Sequence, residues 1–538
     1  MVAGYAALTV LMTWPLATRL DTSIAGDLGD PLFVAWVMGW VADHLTRVLT
    51  GDLAAWAAMW NTPIFAPEPA TLTYSEHFIA QAIQALPVWW VTGNPLLAYN
   101  VVYLATVMLT AVAAHGFTVH LSGRHVAGVA AAVLCAFNEY RTVWTVSHLQ
   151  ILSIHWWIVA LWGLDVFVAR RSRAALYAAT AALIAMHLSS SYLLAYGAPF
   201  TAAFAVWSLV RHGQWRDRSA WTGVVAAGAV SVLAVLPLLR RYLATRDALG
   251  FSRTLPELVG NAATPAIYAE ALPWLGPFLA LAIVGTLAPA AADRPSRAAR
   301  CALLAMAAMA FALALGPVIR FGGSDVPGPY ALLWAYVPGF EGLRVPHRFA
   351  AIGATLLAVL GGIGSAWLWR WWAGRAAVAV AIALVIRHAG PPFPTDVPMP
   401  VTAMAPPSGY LRPDVTAPPI YHFVAATGPD AVLVEFPFGE QAYEIRYTYF
   451  TGLHRQRTLN GYSGVLPPSF IAREAVLRTP LADRAASWAA IAGATHVVVH
   501  TGAWLDDTGA RISEWLESHD ARIVTTVDGA VLYELPRN

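Results

Sequence analysis

The chain has 538 residues; 58% are hydrophobic, 12% are charged and 23 are tryptophan. Soluble domains carry about 25% charged residues, so half that content, with apolar runs near 20 residues, excludes an ordinary cytosolic enzyme, a disordered chain and a nucleic-acid binder, and points to a polytopic membrane protein. The net charge of +2 hides a split: residues 1–391 hold 23 basic and 16 acidic residues (+7), and 392–538 hold 10 and 15 (−5).

Apolar runs bounded by Arg clusters predict about eleven spans: 2–19, 92–114, 125–138, 149–169, 174–189, 192–210, 222–239, 272–290, 301–316, 349–369 and 376–390. Residues 1–20 lack a basic leader and an A-x-A cleavage site, so this stretch reads as a first, uncleaved span. The segment 78–91 fits an extra span or a membrane-parallel helix. Cys135 and Cys301 fall within apolar runs and read as packing residues.

Arg124, Arg170-Arg171-Arg173, the trio Arg211, Arg216 and Arg218, the trio Arg294, Arg297 and Arg300, and the pair Arg370 and Arg375 occupy every second loop. That is 12 Arg against two acids, Asp217 and Asp293. The positive-inside tendency makes these loops cytoplasmic. The N-terminus is then cytoplasmic and the C-terminus extracytoplasmic. Within a span-bearing region 1–390, the long first outward loop covers 21–77. Residues 391–419 contain ten prolines and read as an extended linker. From 420 to 538 the period changes: 431–436, 495–500, 522–527 and 530–535 read as strands, and 485–492 and 511–518 as helices. This is a small extracytoplasmic α/β domain.

Polar residues gather in the outward loops. The first opens with Gly26-Asp27-Leu-Gly-Asp30-Pro31 and continues through a membrane-surface stretch, 32–49, to Asn61, Phe65-Ala-Pro-Glu68-Pro and Ser75-Glu76-His77. A carboxylate at the membrane–water boundary can take a proton from a sugar hydroxyl, or hold a divalent metal such as Mg or Mn against a diphosphate. For Asp27 a helix cap is the favoured reading; for Asp30 a functional one is favoured over a turn before Pro31. The second outward loop supplies Asn138-Glu139-Tyr140-Arg141 and His148-Leu-Gln150. Here Glu139 and Arg141 form a local pair, or Arg141 and His148 reach a phosphate. His187-Leu-Ser-Ser-Ser-Tyr192 reads first as helix packing. Arg253, in Gly250-Phe-Ser-Arg253, suits an anion, because guanidinium offers a bidentate fork. The run Arg344-Val-Pro-His347-Arg348-Phe349 precedes a span. If its helical turn continues, Arg344 and Arg348 share a face and can clamp a diphosphate. In the tail, Asn460-Gly-Tyr462-Ser-Gly464 is a polar, aromatic turn, most simply a surface loop.

Four of these pieces together resemble the GT-C superfamily of membrane glycosyltransferases, nearest to a bacterial YfhO and mannosyltransferase-like branch. They are the first loop with Asp30-Pro31, the run Phe65-Ala-Pro-Glu68-Pro-Ala-Thr-Leu-Thr-Tyr-Ser-Glu76, the segment 344–349, and an outward tail carrying Asn460-Gly-Tyr-Ser-Gly464. The resemblance implies transfer of a sugar from a polyprenyl-phosphate-linked donor to a glycan, lipid or protein acceptor on the outer face of a bacterial inner membrane, with inversion. It implies Asp30 as base, with Asp27 beside it, and places Glu139 where the superfamily has its second acidic motif. Glu76, His77, Arg141, His148, Arg253, Arg344, His347 and Arg348 become substrate- or phosphate-binding candidates. The chain departs from the pattern in having Asn-Glu at the second motif and no Trp-Trp-Asp in the tail. Two other functions fit the residues less well: a lipid-linked glycan transporter, and a non-catalytic cell-envelope assembly protein. Transporters place charges at mid-membrane, whereas here the polar groups sit on one side.

Overall fold

The computed structural model describes residues 1–289, 295–389, 392–412, 414 and 416–536. Asp293 and Arg294 of the fourth Arg-rich loop, and Pro391 at the start of the Pro-rich segment, lie outside these residues. Among the described residues eight helices are long and apolar enough to cross a membrane: Asp30–Leu49, Pro95–Ser122, Leu149–Arg170, Ser191–Arg211, Arg218–Leu249, Arg297–Ala314, Pro346–Leu368 and Trp372–Ala389. The pair Leu255–Glu270 and Leu272–Leu287, bent by 80°, makes a ninth if counted as one span. Three expected spans form shorter helices, Val2–Met12, His125–Ala136 and Arg173–Ser189. The fold is a polytopic helical membrane protein with a small sheet near its C-terminus.

The chain divides into two compact units. The first comprises Met1–Trp14, Tyr103–Arg240 and Gly250–Phe393; the second comprises Pro15–Val102, Arg241–Leu249 and Pro394–Asn538.

In the first unit the helix Phe349–Leu368 is central. It packs against His125–Ala136, Leu272–Leu287 and Arg297–Ala314, and the span that contains it is buried along its whole apolar window. In lipid there is no hydrophobic drive between helices, so small residues must let backbones approach. Gly285 and Gly362 do this: a Cβ on Gly285 would strike the Leu360 carbonyl oxygen, and one on Gly362 the Ala127 carbonyl oxygen. A polar hub adds direction. Fully buried Asp165 accepts hydrogen bonds from Ser208 Oγ at 2.7 Å and Arg211 Nη1 at 3.0 Å. Its carboxylate also meets His120 Nε2 at 2.7 Å and His212 Nε2 at 3.1 Å. Three helices, Pro95–Ser122, His155–Arg170 and Ser191–Arg211, are thereby tied at one level. A short hairpin, β1 (Val318–Phe321) with β2 (Ser324–Pro327), precedes the central helix. Cys135 is buried as expected, but Cys301 is exposed on its helix.

The second unit is built on a five-stranded sheet of β3 (Val432–Phe436), β4 (Arg457–Thr458), β5 (His496–His500), β6 (Arg522–Val527) and β7 (Ala530–Glu534), in the order β4-β3-β5-β7-β6. β3 is parallel to β4 and β5, while β7 is antiparallel to β5 and β6. β3 is buried throughout, as a short apolar run of β-branched and aromatic residues predicts for an inner strand. The first loop joins this sheet. The Phe65 amide donates to the Asn460 carbonyl at 2.9 Å, and the Ala66 amide to that of Thr458 at 2.8 Å. Within the Pro-rich segment, Thr395 bridges Ala25, Val397 bridges Asp27 and Met404 bridges Trp504. The stretch read as membrane-surface becomes the helix Asp30–Leu49. It packs on the helix Gln441–His454, with the Trp36 indole donating to Thr451 Oγ1 at 2.9 Å.

Candidate functional site

Two groups of candidate residues emerge, one in each unit.

In the second unit, Asp30 is the first residue of its helix, with Gly29 as N-cap and Pro31 at the first turn. Pro suits that position because its missing N–H would have no helical partner there. A carboxylate at a helix N-terminus is stabilised by the unsatisfied amides. The Tyr462 hydroxyl donates to Asp30 Oδ1 at 2.7 Å. Tyr462 is in turn positioned twice: its ring meets Phe33 edge-on at 5.5 Å, and its amide donates to Thr448 Oγ1 at 3.0 Å. Gly461, before it, lies so close to the Phe65 ring that a Cβ would approach to 2.7 Å. The segments 65–76 and 460–464 are therefore neighbours, and the tail turn is a packed support for Asp30 rather than a surface loop.

Beneath this turn lies Glu444. Its carboxylate accepts from the amides of Gly439 (2.8 Å) and Gly461 (2.9 Å) and from Asn460 Nδ2 (3.0 Å). Burial pushes its pKa up to about 8 against the pull of these three donors. Sequence reasoning passed over Glu444 and Thr448, because the helix Gln441–His454 has no clear apolar stripe to mark one face as buried.

Asp27 makes a turn: its Oδ1 accepts from the Gly29 amide at 2.8 Å, the familiar Asx geometry. Glu76 and His77 are both buried. His77 accepts from the Ile79 amide at 3.2 Å and packs against the rings of Trp60 and Tyr242. Glu68 accepts from Ser469 Oγ at 2.5 Å.

In the first unit, the segment 344–348 is strapped by tyrosines. The Tyr196 hydroxyl donates to the Val345 carbonyl at 2.9 Å, and the Tyr140 hydroxyl to that of His347 at 3.3 Å. The buried Arg348 guanidinium lies 5.5 Å from the centre of the Tyr192 ring, a cation–π arrangement. The helical turn starts only at Pro346, after an extended Val345. Arg344 therefore lies outside it, and the shared-face argument for Arg344 and Arg348 does not hold. Charge still converges. His148 is held well below the usual histidine range, first by its enclosure and then by the positive charges of Arg348, His347 and Arg344. A neutral imidazole amid cations suits an anion, whose arrival would relieve the repulsion.

The other candidates are engaged elsewhere. Buried Arg141 donates from Nη2 to the Leu152 carbonyl at 2.9 Å and to Thr110 Oγ1 at 3.4 Å. Glu139 does not pair with it but lies 3.6 Å from His388 Nδ1. Arg253 donates to Glu257 at 2.8 Å and stacks on Phe251, so its charge is compensated. His187 is buried in its helix. Among the described residues no three His, Cys, Asp or Glu side chains converge as metal ligands.

No protein-family profile and no curated protein matches the sequence. Among solved structures, the cryo-EM structure of the arabinofuranosyltransferase AftD from Mycobacteria aligns over 100% of this chain and 40% of its own, at 14% identity and a TM-score of 0.60. A mutant form of AftD aligns over 100% and 41%, at 14% identity and a TM-score of 0.59. ArnT from Cupriavidus metallidurans, crystallised with undecaprenyl phosphate, aligns over 99% and 97% at 12% identity, with a TM-score of 0.49. The chain thus spans 40% of the length of AftD. At these identities the likeness speaks to architecture: this chain is a multi-pass membrane protein with a GT-C-like fold.

Proposed function

We propose that the chain is a membrane glycosyltransferase that moves a sugar from a polyprenyl-phosphate-linked donor to an acceptor hydroxyl on the outer face of a bacterial inner membrane. The observation that carries this reading is the buried Arg348, whose guanidinium lies over the Tyr192 ring, with the partly exposed Arg344 in the same short segment. A buried guanidinium is costly to hold without a counter-charge, and a phosphate would supply one. The fold, shared with an arabinofuranosyltransferase, supports the same class of reaction.

The roles divide by unit. In the first, the guanidinium groups of Arg348 and Arg344 hold the donor phosphate and stabilise the charge it gathers as the bond from sugar C1 to phosphate oxygen breaks. The acceptor hydroxyl loses its proton as its oxygen bonds to C1, and Asp30 is the carboxylate we propose as base. The Tyr462 hydroxyl keeps that carboxylate in one orientation. The polyprenyl phosphate leaves with the electron pair. We further propose that the C-terminal domain is extracytoplasmic and the N-terminus cytoplasmic, and that attack proceeds with inversion.

Native mass spectrometry of the full chain with undecaprenyl phosphate tests the phosphate half. The wild type retains one lipid, and Arg348→Ala with Arg344→Ala loses it. Equal retention by the double variant contradicts the assignment.

A further inference from the structure

The second unit holds a cavity of about 320 Å³ that no part of the proposed chemistry uses. Its walls are the rings of Trp36, Trp40, Trp89 and Tyr449, its floor includes Gly39, Gly93 and Gly452, and Arg455 stands at its edge. The pocket opens at the surface beside exposed Gly93 and Arg455, and four aromatic rings face it.

The rings are set in place by their polar edges. The Trp36 indole donates to Thr451 Oγ1 at 2.9 Å, and the Trp40 indole to the Met59 carbonyl at 2.8 Å. Both N–H groups are therefore spent on the protein. The two indoles stack with an interplanar angle of 26°, and the His44 ring lies 4.3 Å from that of Trp40. Two of these glycines lie against the rings. A Cβ on Gly39 would press on Trp89 at 3.2 Å, and one on Gly452 would meet Trp36 at 3.6 Å. At the edge, Arg455 Nη1 lies 3.7 Å from Asp43 Oδ2, and both side chains are partly exposed.

We propose that this cavity binds a neutral carbohydrate ring, the acceptor glycan of the transferase, at a distance along the glycan from the reacting hydroxyl. The C–H face of a sugar carries partial positive charge and packs on the negative face of an indole, while its hydroxyls find the guanidinium and carboxylate of Arg455 and Asp43. The volume sits at the lower end of ligand pockets, roughly 300–1,000 Å³, room for one or two rings. An acyl chain is the weaker fit: Leu453 is the one aliphatic branched residue on the wall, and an ion pair stands at the edge. The assignment of the sugar as acceptor rests on the transferase reading; sugar binding itself does not.

The test uses the full chain in nanodiscs without any donor lipid. Maltose, cellobiose, mannobiose and galactobiose are titrated by calorimetry and tryptophan fluorescence. At least one binds, and Trp40→Ala and Gly452→Leu each weaken it by about tenfold or more. Gly452→Leu fills the cavity without emptying the core and lies within a helix, where Leu is favoured over Gly, so it guards against a misfolded Trp40 variant. Binding of none of the four sugars, or equal binding by both variants, overturns the proposal. So does quenching by tail-brominated lipid that Gly452→Leu abolishes and sugar does not compete. Undecaprenyl phosphate retention at Arg348, measured on the same samples, fails or holds independently and separates this proposal from the transferase reading.

Discussion

The Tyr462 hydroxyl donates a 2.7 Å hydrogen bond to Asp30 across 432 residues of sequence. It joins the first residue of an N-terminal helix to a turn of the tail domain. Behind it stands a chain of support: Glu444 holds Asn460 and Gly461, Thr448 holds the Tyr462 amide, and Phe33 holds its ring.

Removing this bond separates orientation from chemistry. Asp30→Ala lowers kcat by about 10²–10⁴, the usual contribution of a positioned general base. Tyr462→Phe keeps the carboxylate and its packing but loses a hydrogen bond to a charged group, about 1.5–3 kcal/mol. Its kcat falls on the order of tenfold with the donor KM unchanged. Steady-state kinetics of the two variants check this. A donor KM that rises with unchanged kcat in Tyr462→Phe would place the tyrosine in donor binding instead.

His148 gives the phosphate site a pH signature. Its imidazole is neutral in the free protein because enclosure and the charges of Arg348, His347 and Arg344 disfavour the cation. A bound phosphate opposes those charges and raises the His148 pKa. Binding then takes up a proton, so affinity rises as pH falls between the free and bound values. Undecaprenyl phosphate affinity therefore strengthens in the wild type as pH falls toward the depressed range in which the free His148 takes up its proton, and His148→Gln flattens that slope. Calorimetry in buffers of different ionisation heat reads the proton uptake directly.

The buried Glu444 carboxyl sets the stability of the second unit against pH. Its pKa in the fold is about 8, against 4.5 in the unfolded chain. Between these values the folded state holds more protons than the unfolded one, so stability falls as pH rises. The contribution is full below the unfolded value and is lost as pH passes the folded one. Thermal unfolding of the detergent-solubilised protein should show Tm declining from pH 5 to pH 8.5. Glu444→Gln, which keeps the protonated shape, should remove that part of the decline.

Much of the architecture is legible in the residues. The strands 522–527 and 530–535 follow from β-branched runs around a Val-Asp-Gly turn, and the spans from apolar length between Arg clusters. The helix Gln441–His454 is not legible, because Glu444, Arg446, Thr448 and His454 look solvent-facing and are instead buried. Periodicity cannot register a polar residue whose partners lie far away in sequence. The same reason hides Tyr462 as the partner of Asp30. Arg141 shows the opposite difficulty: its charge suggests a ligand, while its Nη2 donates to the Leu152 carbonyl, a partner that spacing does not reveal. Arg344 and Arg348 were joined by a helical turn that begins two residues too late.

The Asp165 hub carries a stability prediction of its own. Asp165→Ala leaves the partly buried Arg211 without its carboxylate and removes the acceptor of Ser208. Breaking one side of a buried pair costs about 3–5 kcal/mol. The variant should unfold at lower temperature, while a surface control, Asp52→Ala, whose partner Arg47 is solvent-exposed, should change little.

The most direct measurement is transfer itself. The purified chain in nanodiscs is given radiolabelled sugar on undecaprenyl phosphate and a glycan acceptor, and both labelled product and released lipid phosphate are counted. The wild type should form glycosylated acceptor and free undecaprenyl phosphate in equal amounts, and Asp30→Asn and Arg348→Ala should each abolish both. Undiminished transfer by both variants would contradict the assigned roles, and movement of the intact lipid-linked sugar across the bilayer with no new glycosidic bond would contradict the transferase reading.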